Sequence, residues 1–189
     1  MVGQGAFRFL EELRVTAGET LLIYAAAGGV GTVASQLALL RGATVIGTAS
    51  AGNHDYLRSL GVVPGSYDDG LLDRVRTMAL NGVQAALDAV GGPATEVSVE
   101  LVADRDRVAT LVDVDTAIER YGIRRLVGGR STTTLSYLAD LADLADLADL
   151  VARGVLGLPT TTFPLDEVVR AHQKVQGGHV RGKVVLTIS

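Results

Sequence analysis

Apolar runs of strand length alternate with helix-period stretches along most of this chain. Glu19–Ala27 reads as a buried strand, Val30–Arg41 as a helix and Ala43–Ala49 as a second strand. Asn53–Leu60 follows as a short helix, with a brief extended piece at Val62 and Val63. Further along come a helix over Leu71–Leu80, a strand over Val83–Ala89, a helix over Ala94–Ala103 and a strand over Arg107–Val112. A short helix over Thr116–Arg120 and a strand over Ile123–Val127 end the series. Continuous apolar strands separated by helices imply a parallel sheet covered on both faces. The expected fold class is therefore α/β, a doubly wound parallel sheet in one domain over residues 1–189, with no linker.

After Arg130 the pattern changes. Ser131 and the threonines behind it can cap a helix that runs to about Arg153. Within it, Leu138–Asp149 repeats Leu-Ala-Asp four times. Leucine at every third position slips by about 60° per repeat on a helix of 3.6 residues per turn. The leucines therefore sweep a wide arc while the aspartates gather opposite them. That describes a twisted amphipathic helix with an acidic outer face; a subunit contact through the drifting leucines is the alternative. The period does not match a coiled coil. The tail reads as an extended piece over Leu158–Phe163, a helix over Leu165–Val175, a loop over Gly177–Gly182 and an extra C-terminal strand over Lys183–Ile188.

Composition narrows the chemistry. With 48% hydrophobic and 20% charged residues, the chain has an ordinary soluble-domain balance. It has no cysteine, which removes disulfides, thiolate metal sites and cysteine nucleophiles. A net charge of −4 offers no footprint for nucleic acid or an anionic membrane. Neither a leader-like start nor an apolar run of about 20 residues is present, so a cytoplasmic location is expected. His54, His172 and His179 are too scattered for ligand spacing, and no metal is expected. A nucleophilic serine on a G-x-S-x-G turn is also missing.

The stretch Ala25-Ala-Ala-Gly-Gly-Val-Gly31 carries the strongest signal. A glycine at Gly28 lets backbone approach a diphosphate, and Gly31 lets the next helix pack close to the strand. The helix start at Val30 aims free amides and a positive dipole end at an anion. On G-x-G-x-x-G the turn maps as Ala26, Gly28 and Gly31, placed between a strand and a helix as that motif requires. NAD sites put an acid about 20 residues onward, on the adenosine ribose. Here Thr48-Ala-Ser50 stands in its place, followed by Asn53, His54 and Arg58, which can receive a 2′-phosphate. NADPH is thus favoured over NADH.

Ala25–Gly31, Val45–Ser50, Leu60-Gly61, Leu87–Gly92 and Gly177–Leu186 together resemble the cofactor half of medium-chain dehydrogenases/reductases. Within them, the zinc-independent quinone oxidoreductase and enoyl reductase branch matches best. The resemblance implies a six-stranded Rossmann sheet and hydride transfer from NADPH to quinones or activated alkenes. It implies a diphosphate turn at Gly28, Gly29, Val30 and Gly31, with 2′-phosphate contacts at Ser50 and His54, although lysine is more usual at the latter. Tyr67 would lie against the adenosine phosphate, and the loops after Asp88 and Val112 would flank the nicotinamide ribose. The family can place an arginine before the terminal Gly-Lys; this chain has Gly178 there, with His179 and Arg181 nearby.

The resemblance also implies an upstream GroES-like catalytic domain, which this chain lacks. The final strand would pair in that domain and here needs another partner, a second copy in a homodimer or a separate catalytic-domain chain. Asp88, Asp113 and Asp115 stand nearest the expected cleft, with Tyr121, Tyr137 and Arg130 in reach of its rim, and none is assigned a catalytic role. Besides an NADPH-dependent quinone or enone reductase, two readings stay open. One is a non-catalytic NADPH-binding interaction module; the other is a redox-neutral cyclase or lyase on a repurposed fold.

Overall fold

A computed structural model describes residues 2–112, 114–123 and 144–188. Helix α1 (Val2–Glu12) leads into β1 (Thr20–Ile23), α2 (Gly29–Leu40), β2 (Thr44–Thr48), α3 (His54–Ser59) and β3 (Val63–Gly65). The chain then forms α4 (Leu71–Met78), β4 (Ala85–Asp88), α5 (Pro93–Leu101), β5 (Val108–Thr110) and α6 (Val114–Tyr121). Helix α7 is described over residues 144–152. β6 (Thr160–Pro164), α8 (Val168–Gln176) and β7 (Lys183–Thr187) complete it.

The first five strands form one parallel sheet in the order β3-β2-β1-β4-β5. Leu21 pairs with Val45 on one side and Ala85 on the other, so β1 is the central strand. All four of its residues are buried, and alternation sends them to two separate cores. Leu21 and Ile23 join Leu10 and Leu13 from the α1 side and Leu37 from α2. Leu22 and the following Tyr24 join Val75 of α4, Val102 beyond α5, and Ala117 of α6. Burial of each large aliphatic here contributes about 1.5–3 kcal/mol, and the two-sided sheet places helices on both faces. The doubly wound α/β fold is as expected. The chain moves outward from β1 to β3 and jumps back to β4, leaving a crevice above the β1–β4 boundary.

The sixth strand expected at Ile123–Val127 and the first half of the Leu-Ala-Asp helix lie outside the described residues, as do Asp113, Arg130 and Tyr137. In α7, Leu147 is buried, with its Cδ1 3.2 Å from where a Cβ on Gly3 would stand. Leu144 is exposed, and so are Asp146 and Asp149.

The tail elements lie where the sequence places them, and β7 gains one neighbour within the chain. β7 does not stand without a partner: it pairs in parallel with β6 from Thr160↔Lys183 to Pro164↔Thr187, with α8 as the crossover. The five-residue match sets Thr-Thr-Thr-Phe-Pro against Lys-Val-Val-Leu-Thr, strands rich in β-branched residues. Val185, Leu186 and Ile188 remain exposed along β7.

At the N-terminal end of the sheet, Arg107 forks onto Glu19, with Nη1 to Oε1 at 2.6 Å and Nη2 to Oε2 at 2.8 Å. Its Nε also donates to the Leu13 carbonyl at 3.0 Å. This pair ties the α1–β1 connection to the start of β5.

Candidate functional site

Beyond β1 the chain makes a tight turn. Ala25 takes φ 52, and the Gly28 amide donates back to its carbonyl at 2.9 Å. The Ala26 amide donates to Thr48 at 2.9 Å, which ties the turn to the end of β2. Helix α2 starts at once, with Gly28 as an N-cap that offers no side-chain acceptor. Its first amides have no intrahelical acceptor, as at any helix start, and face an anion-favouring dipole end. At Gly31 an added Cβ would stand 2.4 Å from the Ala25 carbonyl oxygen and 2.6 Å from Ala26 Cα. Both obstacles are backbone, so glycine is required there.

The tail folds onto this turn. Gly182 donates to the Ala27 carbonyl at 2.8 Å and bridges Gly28. It takes φ 67, and a Cβ on it would meet the Pro159 carbonyl oxygen at 1.9 Å. Lys183 lays its stem across Gly29, with Cε 3.1 Å from where a Cβ would be. The loop before it, Gly178 to Val180, becomes one wall of the crevice.

The resulting cleft measures about 800 Å³ at the C-terminal ends of β1, β2 and β4. Gly28, Ser50, Asn53, Tyr67, Gly91 and His179 line it. Of the residues expected at a nucleotide site, the structure therefore gathers Gly28, Ser50, Asn53 and Tyr67, with Gly29, Val30 and Gly31 opening the adjoining helix. Ala26 is buried under the turn. Asn53 holds Ser50 through Nδ2 to Oγ at 3.3 Å. His54 instead turns its Nε2 to the Ala49 carbonyl at 3.1 Å, and Arg58 pairs with Asp55 at 2.7 Å on an exposed helix face. Neither lines the cleft.

Asp88 is fully buried and also lines no part of it. It accepts from the Val90 and Gly91 amides at 2.8 and 2.9 Å, from Thr95 Oγ1 at 2.6 Å and from Thr110 Oγ1 at 3.2 Å. The Val90, Gly91 and Thr95 bonds shape the β4–α5 turn, whose Val90 and Gly91 do line the cleft. Val112 packs against Gly91 from behind. Asp88→Asn removes the charge from these hydrogen bonds and forces the Thr95 hydroxyl to turn from donor to acceptor, so it is expected to lose about 1–3 kcal/mol of unfolding free energy in urea. An unchanged midpoint would show that the turn holds without the carboxylate. Tyr121 donates to Glu96 at 2.9 Å. Among the described residues no three histidine, aspartate or glutamate side chains gather as a metal site.

Tyr24 and Lys183 carry no site assignment in the sequence, and Arg181 is placed there only as a neighbour of the family's arginine position. Tyr24 reads from sequence only as a strand residue, yet it lines the cleft while 1% exposed, with its hydroxyl buried. Burial pushes that hydroxyl up to about 12, which keeps it a neutral donor. Lys183 and Arg181 come from the far end of the chain. Their one signal was the basic Arg-Gly-Lys placed at the mouth of the last strand.

Comparison with known proteins agrees with this geometry. The family model described as zinc-binding dehydrogenase matches residues 62–186. A mycocerosic acid synthase-like polyketide synthase of Mycolicibacterium smegmatis is 32% identical over 192 aligned positions, covering 94% of this chain and 9% of that protein. Among solved structures, the quinone oxidoreductase of Coxiella burnetii superposes with a TM-score of 0.79 at 30% identity, over 100% of this chain and 59% of that one. A mycobacterial protein solved in complex with NADPH gives a TM-score of 0.81 at 27% identity, over 98% and 62%. The chain thus spans less than a tenth of the synthase and about three fifths of the solved chains.

Proposed function

This chain belongs to the zinc-binding dehydrogenase family, as a cofactor-domain portion of its quinone oxidoreductase and enoyl reductase members, and from that premise we propose that it binds NADPH for the reduction of an activated alkene or quinone. The observation that carries the reading is the turn at residues 25–31, where a diphosphate finds backbone amides and no side chain. The residues present fit the group. The Gly28 cap leaves the start of α2 open, Lys183 adds a cation beside it, and no carboxylate ends β2 to claim a ribose 2′-hydroxyl.

In this reading the nicotinamide supplies hydride to an electrophilic carbon. The chain's own part is to hold and orient. The amides of Gly29 to Gly31 and Lys183 neutralise the diphosphate. Ser50 and Asn53 face the 2′-phosphate, and Tyr67 covers the adenosine end. The apolar wall of Leu71, Pro93 and Val97 excludes water from the cleft. A bound nicotinamide would supply two electrons and a hydrogen nucleus, and with one solvent proton these would saturate the C=C bond of an activated alkene or convert a quinone to its hydroquinone, with hydrogen on both oxygens. Contacts to the substrate come from a GroES-like partner domain, either elsewhere in a longer protein or on a second chain.

Titration with NADPH, followed by nucleotide fluorescence, is expected to give saturable binding, with NADH at least about tenfold weaker, the loss of one charge-assisted contact set. Equal affinity for both would remove the NADPH assignment, and no binding of either would remove the function. NADPH oxidation with an enone and quinone panel, in the presence of a GroES-like domain, then tests the reduction itself.

A further inference from the structure

We propose that Arg74 is a positioning residue for the bound nucleotide. It fixes the β3–α4 loop, and through that loop the affinity for NADPH; this rests on the nucleotide reading of the cleft. Strand order sets β3 apart from β4, with β2 and β1 between them. The loop beyond β3 and the turn beyond β4 are thus opposite walls of the crevice, and Tyr67, Asp68, Asp69 and Gly70 all line it. The loop wall stands largely in solvent: Tyr67 is 55% exposed and the Asp68 side chain 70%. Its shape therefore depends on polar contacts.

Arg74 lies in the first turn of α4, and its side chain folds back across the helix start. Nη1 donates to the Asp69 carbonyl at 2.8 Å. Nη2 reaches the carbonyls of Asp68 at 2.9 Å and Ser66 at 3.2 Å and pairs with the Asp68 carboxylate, sharing its two hydrogens among them. One guanidinium thus gathers three carbonyls of the same short loop. Gly70 turns the chain between loop and helix, at a φ of 81 that favours glycine. Arg74 is not among the residues that line the cleft, so it acts on a ligand only through the loop. Two effects follow. A wall that is already ordered spares the ligand the entropy of ordering it. The pairing with Asp68 also offsets a negative charge on a wall that an anionic cofactor must approach. Lysine does not reproduce the clasp, since one ammonium does not span carbonyls that a planar fork reaches together.

The test is a double-mutant cycle, with NADPH titrated into the unaltered chain, Arg74→Gln, Tyr67→Ala and the two changes combined. Arg74→Gln is expected to weaken NADPH about tenfold, and Tyr67→Ala by a similar factor. The double variant should stay within about threefold of Tyr67→Ala alone, because both changes act through one wall. Independent losses that multiply to about 100-fold would make Arg74 a general strut and overturn the assignment. An unchanged affinity in Arg74→Gln would overturn it too. Arg74→Lys keeps the charge without the clasp and should lose at least about threefold, which keeps the test decisive should the glutamine variant fold poorly. Full affinity in Arg74→Lys would show that charge alone suffices, against the proposal. An unaltered chain that binds no NADPH would overturn the nucleotide reading itself, and this inference with it.

Discussion

Gly31→Ala is expected to lower the unfolding free energy by about 2–3 kcal/mol, in the range for forced overpacking, and to weaken NADPH by more than about 100-fold. The methyl group meets the Ala25 carbonyl and the Ala26 Cα, 2.4 and 2.6 Å away. Neither can rotate aside, because Ala26 is buried and its amide is tied to Thr48. Helix α2 must therefore back away from β1, and its face is fully committed: Val33, Ala34, Leu37 and Ala38 are all buried in the core. The same retreat carries the amides of residues 29–31 away from the anion. Gly28→Ala makes the informative contrast. Its backbone lies at φ −75, open to any residue, and its Cβ would approach only the Ala25 oxygen, at 3.1 Å. It should keep most of the stability and lose binding, because the methyl enters the cleft. Urea unfolding and NADPH titration of both variants separate the two effects. A Gly31→Ala chain that melts like the original would show that the turn is softer than its contacts imply.

The acid stability of the fold should depend on Glu19. The forked hydrogen bond from Arg107 holds its carboxyl well below the usual range, at about 2 against 4.5. The sign follows from that depression. A carboxylate bound more tightly in the folded state stabilises fully above its unfolded value, and the contribution drains away as pH falls from about 4.5 towards 2. The shift corresponds to roughly 2–3 kcal/mol at neutral pH after allowing for partial solvent contact. Glu19→Gln removes it and also leaves Arg107, whose side chain is only 15% exposed, without its counter-charge. The stability gap between the original chain and Glu19→Gln is therefore expected to be largest near neutral pH and to close by about pH 2. Denaturant midpoints measured across that range check it, and a gap that does not vary with pH would place the stabilisation elsewhere.

The two-core sheet was legible because its code is local. Leu21 to Tyr24 alternate between faces, and Gly28 to Gly31 announce a turn whose neighbours in sequence are also its neighbours in space. Asp88 was harder. A carboxylate at a strand end suits either a ligand or a cap, and only the positions of Thr95 and Thr110 decide for the cap. His54 and Arg58 looked like a phosphate pair from spacing alone. Their side chains are instead engaged with the Ala49 carbonyl and with Asp55, and neither lines the cleft. Arg181 and the pairing of β7 with β6 were out of reach for another reason. Both are contacts between distant segments, for which a single sequence has no period and no motif.

That long reach has a consequence for how the protein is made. The bond from Arg181 to Asn53 closes a loop of 128 residues. A ribosome adding about 5–20 residues each second delivers the glycine turn roughly 8–30 s before the strand that roofs it. During that interval the nascent chain can assemble β1 to β4 and their helices, since every register among them is complete without the tail. The crevice, in contrast, lacks its Gly178–Val180 wall until the tail arrives. Ligand capture therefore comes last in the birth of the molecule, after the scaffold that the ligand occupies has already set.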